Sequence, residues 1–464
     1  MTCKMKTIAF ILSIMLTQPC LSQVVKLDTL LYNGAIDKLI NLVILGDGYQ
    51  STELIGFKSD ANKVMNYFFS QSPFTQYKNY FNIFAIEVKS NESGAKHPHS
   101  ASDCPPLSNQ PISVVDNYFG STFDDGGLHR LLSPTNYSRI SDALSGYFPQ
   151  YDLAFIIVNS PYYGGSGGEE AVSSINSLEI PLHEIGHSFG GLEDEYWSGF
   201  SQEAPNMTQE SNPSIIKWKN WLNKKGIGIY PFSEAPSWYK PHNSCKMQYL
   251  GSPFCSVCAE TVIEKIHDLV NPIYSYSPSL LNFSVKDNFV VFKLNIIKPI
   301  SNTLSLKWKL DGGLYAQSID SLRLNVLSLP VGNHVVSVSV IDTTMLTKSD
   351  SHPSLHLYTV TWNINKTPAG VDLQPLTNHL LFQVYPNPIS FETMLHYRIE
   401  EPAYIYVRLL DINGRIIAEL AKKEMKTAGE YTLALDKYLQ QFPSGDYLIE
   451  MNLEEHSFIS KIIK

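Results

Sequence analysis

The chain has 464 residues, and at about 150 residues per domain roughly three domains are expected. Its 44% hydrophobic and 17% charged content excludes a disordered chain. A net charge of −9 without a long basic run excludes a general nucleic-acid binder. With 26 Tyr and 22 Phe, the composition leans toward β-rich extracellular material.

The chain opens "MTCKMKTIAFILSIMLTQPCLSQ". Lys4 and Lys6 precede an apolar run, Thr7 to Leu16, too short to cross a bilayer, and small or polar residues follow. This pattern predicts a signal peptide over residues 1–22, cleaved after Ser22. Lipidation at Cys20 is the alternative, but Thr17, Gln18 and Pro19 lack the Leu and small residues that a lipidation box needs. No later stretch has the apolar length of a membrane helix, so no integral membrane segment is expected in the mature chain. Cys3 and Cys20 leave with the signal. The remaining Cys104, Cys245, Cys255 and Cys258 are expected to form disulfides, as exported cysteines commonly do.

Residues 23–275 alternate strand-like and helical patterns, which predicts mixed α/β architecture. "KLINLVILGDGY" reads as a buried strand running into a turn. "ELIGFKSDANKVMNYFFS" has helical spacing, and "YFNIFAIEVKS" and "YDLAFIIVNS" are further strands. "GDGY" is read as a loop, because no phosphate-binding lysine fingerprint accompanies it. The expected division is an N-terminal α/β or β-rich subdomain over 23–130 and a catalytic domain over 131–275.

The chemistry concentrates in "HEIGHSFGGLEDEYW". His183 and His187 are four apart, so a helix places both imidazoles on one face, a spacing that suits one zinc ion. Glu184 lies beside the first ligand, placed to take a proton from water acidified by the metal. Pro181 fits the first helical turn, and Gly190-Gly191 ends the helix. A sharp turn there can bring a later residue back to the metal. If Gly190 is the turn, the third ligand is Glu193; if Gly191, it is Asp194. Glu195 is a third candidate.

This motif resembles the ending of the IgA-peptidase-type zinc metallopeptidases, with Gly-Leu-x-Asp-Glu-Tyr after the histidines, and immune-inhibitor-type peptidases end similarly. "INLVILGDGY", "PFTQYKNYFNIFAIEVKSNESG", "DNYFGSTFD" and "YDLAFIIVNSPYYGGSGG" look like successive segments of the first family. The resemblance covers most of residues 37 to 265. It implies a zincin-like, metzincin-type α/β catalytic domain with zinc on His183, His187 and Asp194, ranking Glu193 second and Glu195 third. Glu184 becomes the general base. "YYGGSGG" is either a loop or an edge strand that pairs with substrate backbone. "NSCKMQYLGSPFCSVC" is similar to the family's methionine turn, with Met247 as an apolar floor and Tyr249 as a catalytic candidate for the oxyanion. His242, Cys245, Cys255 and Cys258 also have the spacing of a second zinc site, though export favours disulfides.

Beyond residue 276 short alternating strands take over: "NFVVFKLNII", "LSLKWKLDG", "SLRLNVLSL", "GNHVVSVSVID" and "LYTVTWNIN". They predict an immunoglobulin-like β-sandwich over 276–366. A linker is expected over 367–377 and a second small sandwich over 378–464. "VYPNP", "LLDINGRII", "AGEYTLALD" and "FPSGDYLIEM" in the last segment resemble a type IX secretion sorting domain of Bacteroidota-like bacteria. That implies export by the type IX machinery and release or surface attachment. The expected protein is a secreted monomeric zinc endopeptidase of extracellular proteins or peptides, host, immunoglobulin or mucosal proteins included. The rival readings are a surface adhesin or glycan-binding protein with a degenerate peptidase domain, and a zinc amidase of cell-wall peptides.

Overall fold

A computed structural model describes residues 26–168, 170–199, 202–285, 289–367, 382–389, 393–399, 401–412, 414–439, 442–453 and 456–464. The expected signal peptide and most of the expected linker lie outside these residues. The chain divides into two compact units, Met1–Ala369 and Gly370–Lys464. Among the described residues no helix is long and apolar enough to cross a membrane.

The first unit begins with β1 (Lys26–Leu31), β2 (Ile40–Asp47), α1 (Leu54–Ser70) and β3 (Phe81–Glu87). There follow α2 (Tyr137–Tyr147), β4 (Leu153–Val158), β5 (Gly165–Ser166), β6 (Ala171–Ser174) and α3 (Glu179–Ser188). The six strands form one sheet in the order β1-β3-β2-β4-β6-β5. Its four central strands are parallel, and the two outer ones antiparallel. Every residue of β2 is buried, as a parallel strand covered on both faces requires. Leu42 and Ile44 face a core shared with α1, α3 and a later helix, whereas Val43 and Leu45 face α2. The expected division at residue 130 falls inside this layer, because β2 pairs with β3 on one side and β4 on the other.

The "GDGY" segment closes β2. Asp47 is fully buried and accepts from the N–H groups of Gly48 (2.9 Å), Phe119 (3.0 Å) and Ser121 (3.1 Å), tying the loop after residue 116 to the strand end. Gly48 has φ +72°, and a Cβ there would meet the Gly94 carbonyl oxygen at 2.3 Å.

A short pair, β7 (Tyr230–Pro231) and β8 (Tyr239–Lys240), leads to α4 (Ser256–Leu269). Eight strands follow: β9 (Ile273–Ser277), β10 (Asn282–Val285), β11 (Phe289–Ile296), β12 (Leu304–Leu310), β13 (Gly313–Gln317), β14 (Ser321–Asn325), β15 (Gly332–Asp342) and β16 (Tyr358–Lys366). They make a five-stranded sheet, β10-β16-β15-β12-β13, and a three-stranded one, β14-β11-β9. Phe292, Trp308, Val336, Val338 and Trp362 belong to the core that both sheets share. In β15 His334, Val336, Val338, Val340 and Asp342 alternate inward, the period of two that the sequence shows.

In the second unit β17 (Phe382–Tyr385), β18 (Met394–Ile399) and β21 (Gly429–Ala434) form one sheet. The other runs β20-β19-β22-β23, from Ile416–Lys426, Ala403–Asp411, Asp446–Leu453 and His456–Ile463. Leu395, Ile405, Val407, Leu409, Ile449 and Met451 fill their common core. "HYRIEEPAYIYVRLLDINGRII" therefore divides among β18, β19 and β20, changing sheet between Ile399 and Ala403.

Candidate metal centre and active site

Helix α3 follows β6 directly and packs Leu182 and Ile185 into the core beneath the sheet. That burial fixes the helix roll, and the two histidines share the adjoining face. His183 Nδ1 donates to the Lys246 carbonyl (2.9 Å) and His187 Nδ1 to the Leu192 carbonyl (2.7 Å). A carbonyl only accepts, so both Nδ1 atoms carry a proton, and in the neutral rings that a metal would bind both Nε2 atoms present lone pairs. Those Nε2 atoms lie 3.2 Å apart.

The left-handed turn that follows the helix is at Gly191, not Gly190. Gly191 has φ +61°, and the Leu192 N–H returns to the Gly186 carbonyl at 2.9 Å. From this turn the three acidic residues diverge. Asp194 Oδ1 reaches both imidazoles, 3.2 Å from His183 Nε2 and 3.3 Å from His187 Nε2. Glu193 turns to the Gln202 amide, and its backbone N–H donates to Asn206 Oδ1 at 2.8 Å. Glu195 is wholly buried beside Cys258. Its N–H donates to the Met247 carbonyl at 2.8 Å, and the Lys240 ammonium donates to its carbonyl.

Three acceptor atoms thus surround one point at 3.2 to 3.3 Å from each other. Tetrahedral ligands about 2.0–2.1 Å from zinc stand about 3.3 Å apart, so the donor set fits such an ion in type and spacing. Burial works against charge on Asp194, yet the two imidazoles outweigh it and hold its carboxyl far below the usual range. Burial also opposes protonation of His187, but Asp194 raises its pKa to about 9.

Glu184 lies outside this triangle, against the Gly-rich segment. A Cβ on Gly167 would stand 2.1 Å from Glu184 Oε2, so the backbone closes on the carboxylate only because Gly167 has no side chain. Burial is the largest influence on Glu184 and raises its pKa, with His183 and His187 acting the other way. Along β5 the Gly165 N–H donates to the Arg130 carbonyl (3.1 Å) and its carbonyl accepts from Leu132 N–H (3.4 Å). This stretch of sheet edge is therefore already paired.

Met247 is fully buried against α3: a Cβ on Gly186 would meet its Sδ at 2.4 Å. Tyr249, on the same turn, is 54% exposed and its hydroxyl accepts from the Gln248 amide at 3.1 Å. Tyr196 instead stands within reach of the charge of Asp194, and burial followed by that charge raises its pKa. Arg130 adds a positive charge felt by both Glu184 and Tyr196. The Asp-Glu-Tyr ending of the motif contains Tyr196 and was the available signal for it. Arg130, Asn206 and Lys240 stand in no motif.

The expected disulfides are not formed. All four cysteines are free, and the sulfurs of Cys245, Cys255 and Cys258 converge without bonding. Cys104 lies apart, in a group with His97, Asp124 and His129. His242 faces elsewhere, its ring against Gly226.

Two imidazole nitrogens and a carboxylate oxygen around one point, with a second carboxylate alongside, make a donor set that fits a metal ion. Residues 30–235 match the family described as IgA Peptidase M64, and residues 383–464 match a secretion system C-terminal sorting domain. The chain carries a peptidase domain of that family and a type IX sorting domain, which implies a secreted or cell-surface protein of Bacteroidota-like bacteria. No curated protein sequence matches the chain.

Among solved structures, one similar chain is SGBP-B of the Bacteroides ovatus mixed-linkage glucan utilization locus, in complex with a mixed-linkage heptasaccharide. It is 12% identical over 40% of this chain and 42% of that one, with a TM-score of 0.15. A Parabacteroides merdae β-glucuronidase is 10% identical over 49% of this chain and 28% of that one, with a TM-score of 0.19. Fibronectin(III)-like modules of Clostridium thermocellum CbhA are 8% identical over 41% of this chain and 92% of theirs, at 0.16. The chain thus spans less than half the length of the first two. Likeness at these scores carries no argument.

Proposed function

We propose that this chain is a secreted zinc endopeptidase that cuts extracellular proteins or peptides. The observation carrying this reading is the convergence of His183 Nε2, His187 Nε2 and Asp194 Oδ1 with Glu184 beside them. We read the six-stranded sheet with α3 and the Met247 turn as a metzincin-like core, and the sheet pairs over 276–366 and 378–464 as two β-sandwiches. Under this reading 1–22 is a signal peptide and 367–377 a linker.

His183, His187 and Asp194 would hold the ion. Zinc there would supply Lewis-acid chemistry, polarising the scissile carbonyl and acidifying the attacking water. Glu184 accepts that water's proton on its carboxylate and returns it to the leaving amine nitrogen. Burial of Glu184 makes it a stronger base than an exposed carboxylate. Tyr196, which feels the charges of Asp194 and Glu184, is better placed than Tyr249 to donate its hydroxyl to a developing oxyanion. The carbonyls of Lys246 and Leu192 hold the imidazole rings in register.

Glu184→Gln tests the reading. The variant is expected to keep the zinc content of the wild-type chain while cleavage of casein falls at least ~10²-fold, the range for a lost general base. Wild-type rates in that variant would overturn the mechanism, and a wild-type chain with zinc but no cleavage would favour the adhesin.

A further inference from the structure

Cys245, Cys255 and Cys258 take no part in the site above, yet they stand beside it. Cys245 lies two residues before Met247, Cys255 immediately precedes α4, and Cys258 is in its first turn. The Cys258 sulfur is 3.6 Å from that of Cys245, 3.5 Å from that of Cys255 and 3.1 Å from Glu195 Oε1. Glu195 Oε1 is also 3.9 Å from the Cys255 sulfur. All four residues are buried, and their four ligand atoms lie within 4.8 Å of one another.

Sulfurs in a disulfide are about 2.05 Å apart. Sulfurs each about 2.3 Å from a tetrahedral zinc are about 3.7 Å apart. The observed separations match the second arrangement. A disulfide between any two of the three would also leave one thiol over and the Glu195 carboxylate without a cation. As a charged group that carboxylate would need one: Oε2 has no hydrogen-bond partner, and Oε1 takes only the Asn206 amide (3.2 Å) besides the sulfurs. The Lys240 ammonium goes to the Glu195 carbonyl and the Gln248 side chain, not to the carboxylate. The Cys255 N–H donates to the Cys245 sulfur at 3.2 Å, a contact that suits a metal-bound thiolate.

We propose that Glu195, Cys245, Cys255 and Cys258 form a closed structural zinc site, separate from the catalytic one. Its four ligands come from three segments that the active site depends on. Glu195 directly follows Asp194, so an ion bound to its side chain fixes the segment that returns the third catalytic ligand. Cys245 fixes the turn that presses Met247 beneath α3, and Cys255 with Cys258 ties both to α4. The role is positional, since none of the four reaches the point shared by His183, His187 and Asp194.

The test uses the whole chain carrying His183→Ala, His187→Ala and Cys104→Ala. These changes remove the two catalytic histidines and Cys104, so once residues 1–22 are cleaved, as proposed above, the only cysteines left are the three in question. Zinc X-ray absorption is expected to show sulfur neighbours at about 2.3 Å, about three per chain. A zinc spectrum without sulfur neighbours overturns the proposal, and so does peptide mapping that finds two of the three cysteines joined. If this variant does not fold, mercurial titration of the wild-type chain decides. Zinc release in step with modification of three buried thiols supports the site; three reactive thiols without zinc release sink it. The readout is sulfur ligation, so its failure leaves the peptidase reading untouched.

Discussion

Gly191 sits at φ +61°, and the three acidic residues after it leave the turn for three different places. Asp194 meets the imidazoles, Glu193 meets Gln202, and Glu195 goes down to the cysteines. The consequence can be separated by mutation. Asp194→Ala is expected to weaken zinc binding by more than the roughly 10–100-fold typical of losing an outer-shell partner. Glu193→Ala is expected to leave zinc affinity within that range, because its carboxylate lies on the Gln202 side. Competition with a chromophoric chelator measures both, and equal losses would show that the two carboxylates share the ligand role. The glycine pair and the carboxylates were visible in the sequence, but spacing alone left Gly190 with Glu193 and Gly191 with Asp194 equally open. The family resemblance, not the spacing, is what put Asp194 first. Tyr196 was legible as part of the same motif, whereas Asn206, which bonds Glu193 and Glu195 from the loop that follows, was not.

Helices α1 and α3 each contain a glycine where alanine would be the better helix former, and the surroundings of the two differ. A Cβ on Gly56 in α1 meets nothing within 4 Å, so Gly56→Ala should stabilise by about 0.5–1 kcal/mol. A Cβ on Gly186 in α3 would meet Met247 Sδ at 2.4 Å and its methyl at 3.0 Å. Gly186→Ala should therefore destabilise by about 1–3 kcal/mol, the cost of overpacking outweighing the helix gain. Urea midpoints of the two variants should move in opposite directions; movement of both upward would mean that Met247 swings away freely. Elements with a strong period were legible: the runs read as β2, α1, β3, β4 and β15 lie where their patterns put them. Helix α2 was not, because only Ile140, Ala143 and Leu144 are buried and its serines and glycine dilute the stripe. The expected disulfides are not seen, and the sequence held only part of the reason. Compartment alone favours disulfides, while Glu195 is 63 residues from Cys258 and meets its sulfur only in the fold.

On the scale of the whole first unit, the peptidase layer and the sheet pair after it are joined by buried charge rather than set apart by a linker. Asp342 at the end of β15 accepts from Tyr77 (2.6 Å) and lies 3.1 Å from His267 of α4. Glu264 of α4 pairs with His352 (2.7 Å) and with His356 (3.1 Å), and accepts from Thr347. Burial opposes charge on His352, but Glu264 outweighs it and raises the pKa. Burial likewise opposes charge on Glu264, and His352 with Thr347 lowers its pKa overall. The two shifts bound a pH window. The His352 contribution is complete below its unfolded value, about 6.5, and is lost as pH rises through the raised folded value. The Glu264 contribution is complete above its unfolded value, about 4.3, and is lost as pH falls through the lowered one. The pair should thus stabilise the junction most between about pH 4.3 and 6.5. His356, whose pKa burial lowers, opposes this on acidification, and Asp268 and His267 also act on it. Comparison of the wild-type chain with His352→Gln cancels those groups to first order. The difference in unfolding midpoint between the two should be largest near about pH 6 and shrink steadily toward about pH 9. A difference that stays constant across that range would show that His352 holds the junction by packing alone.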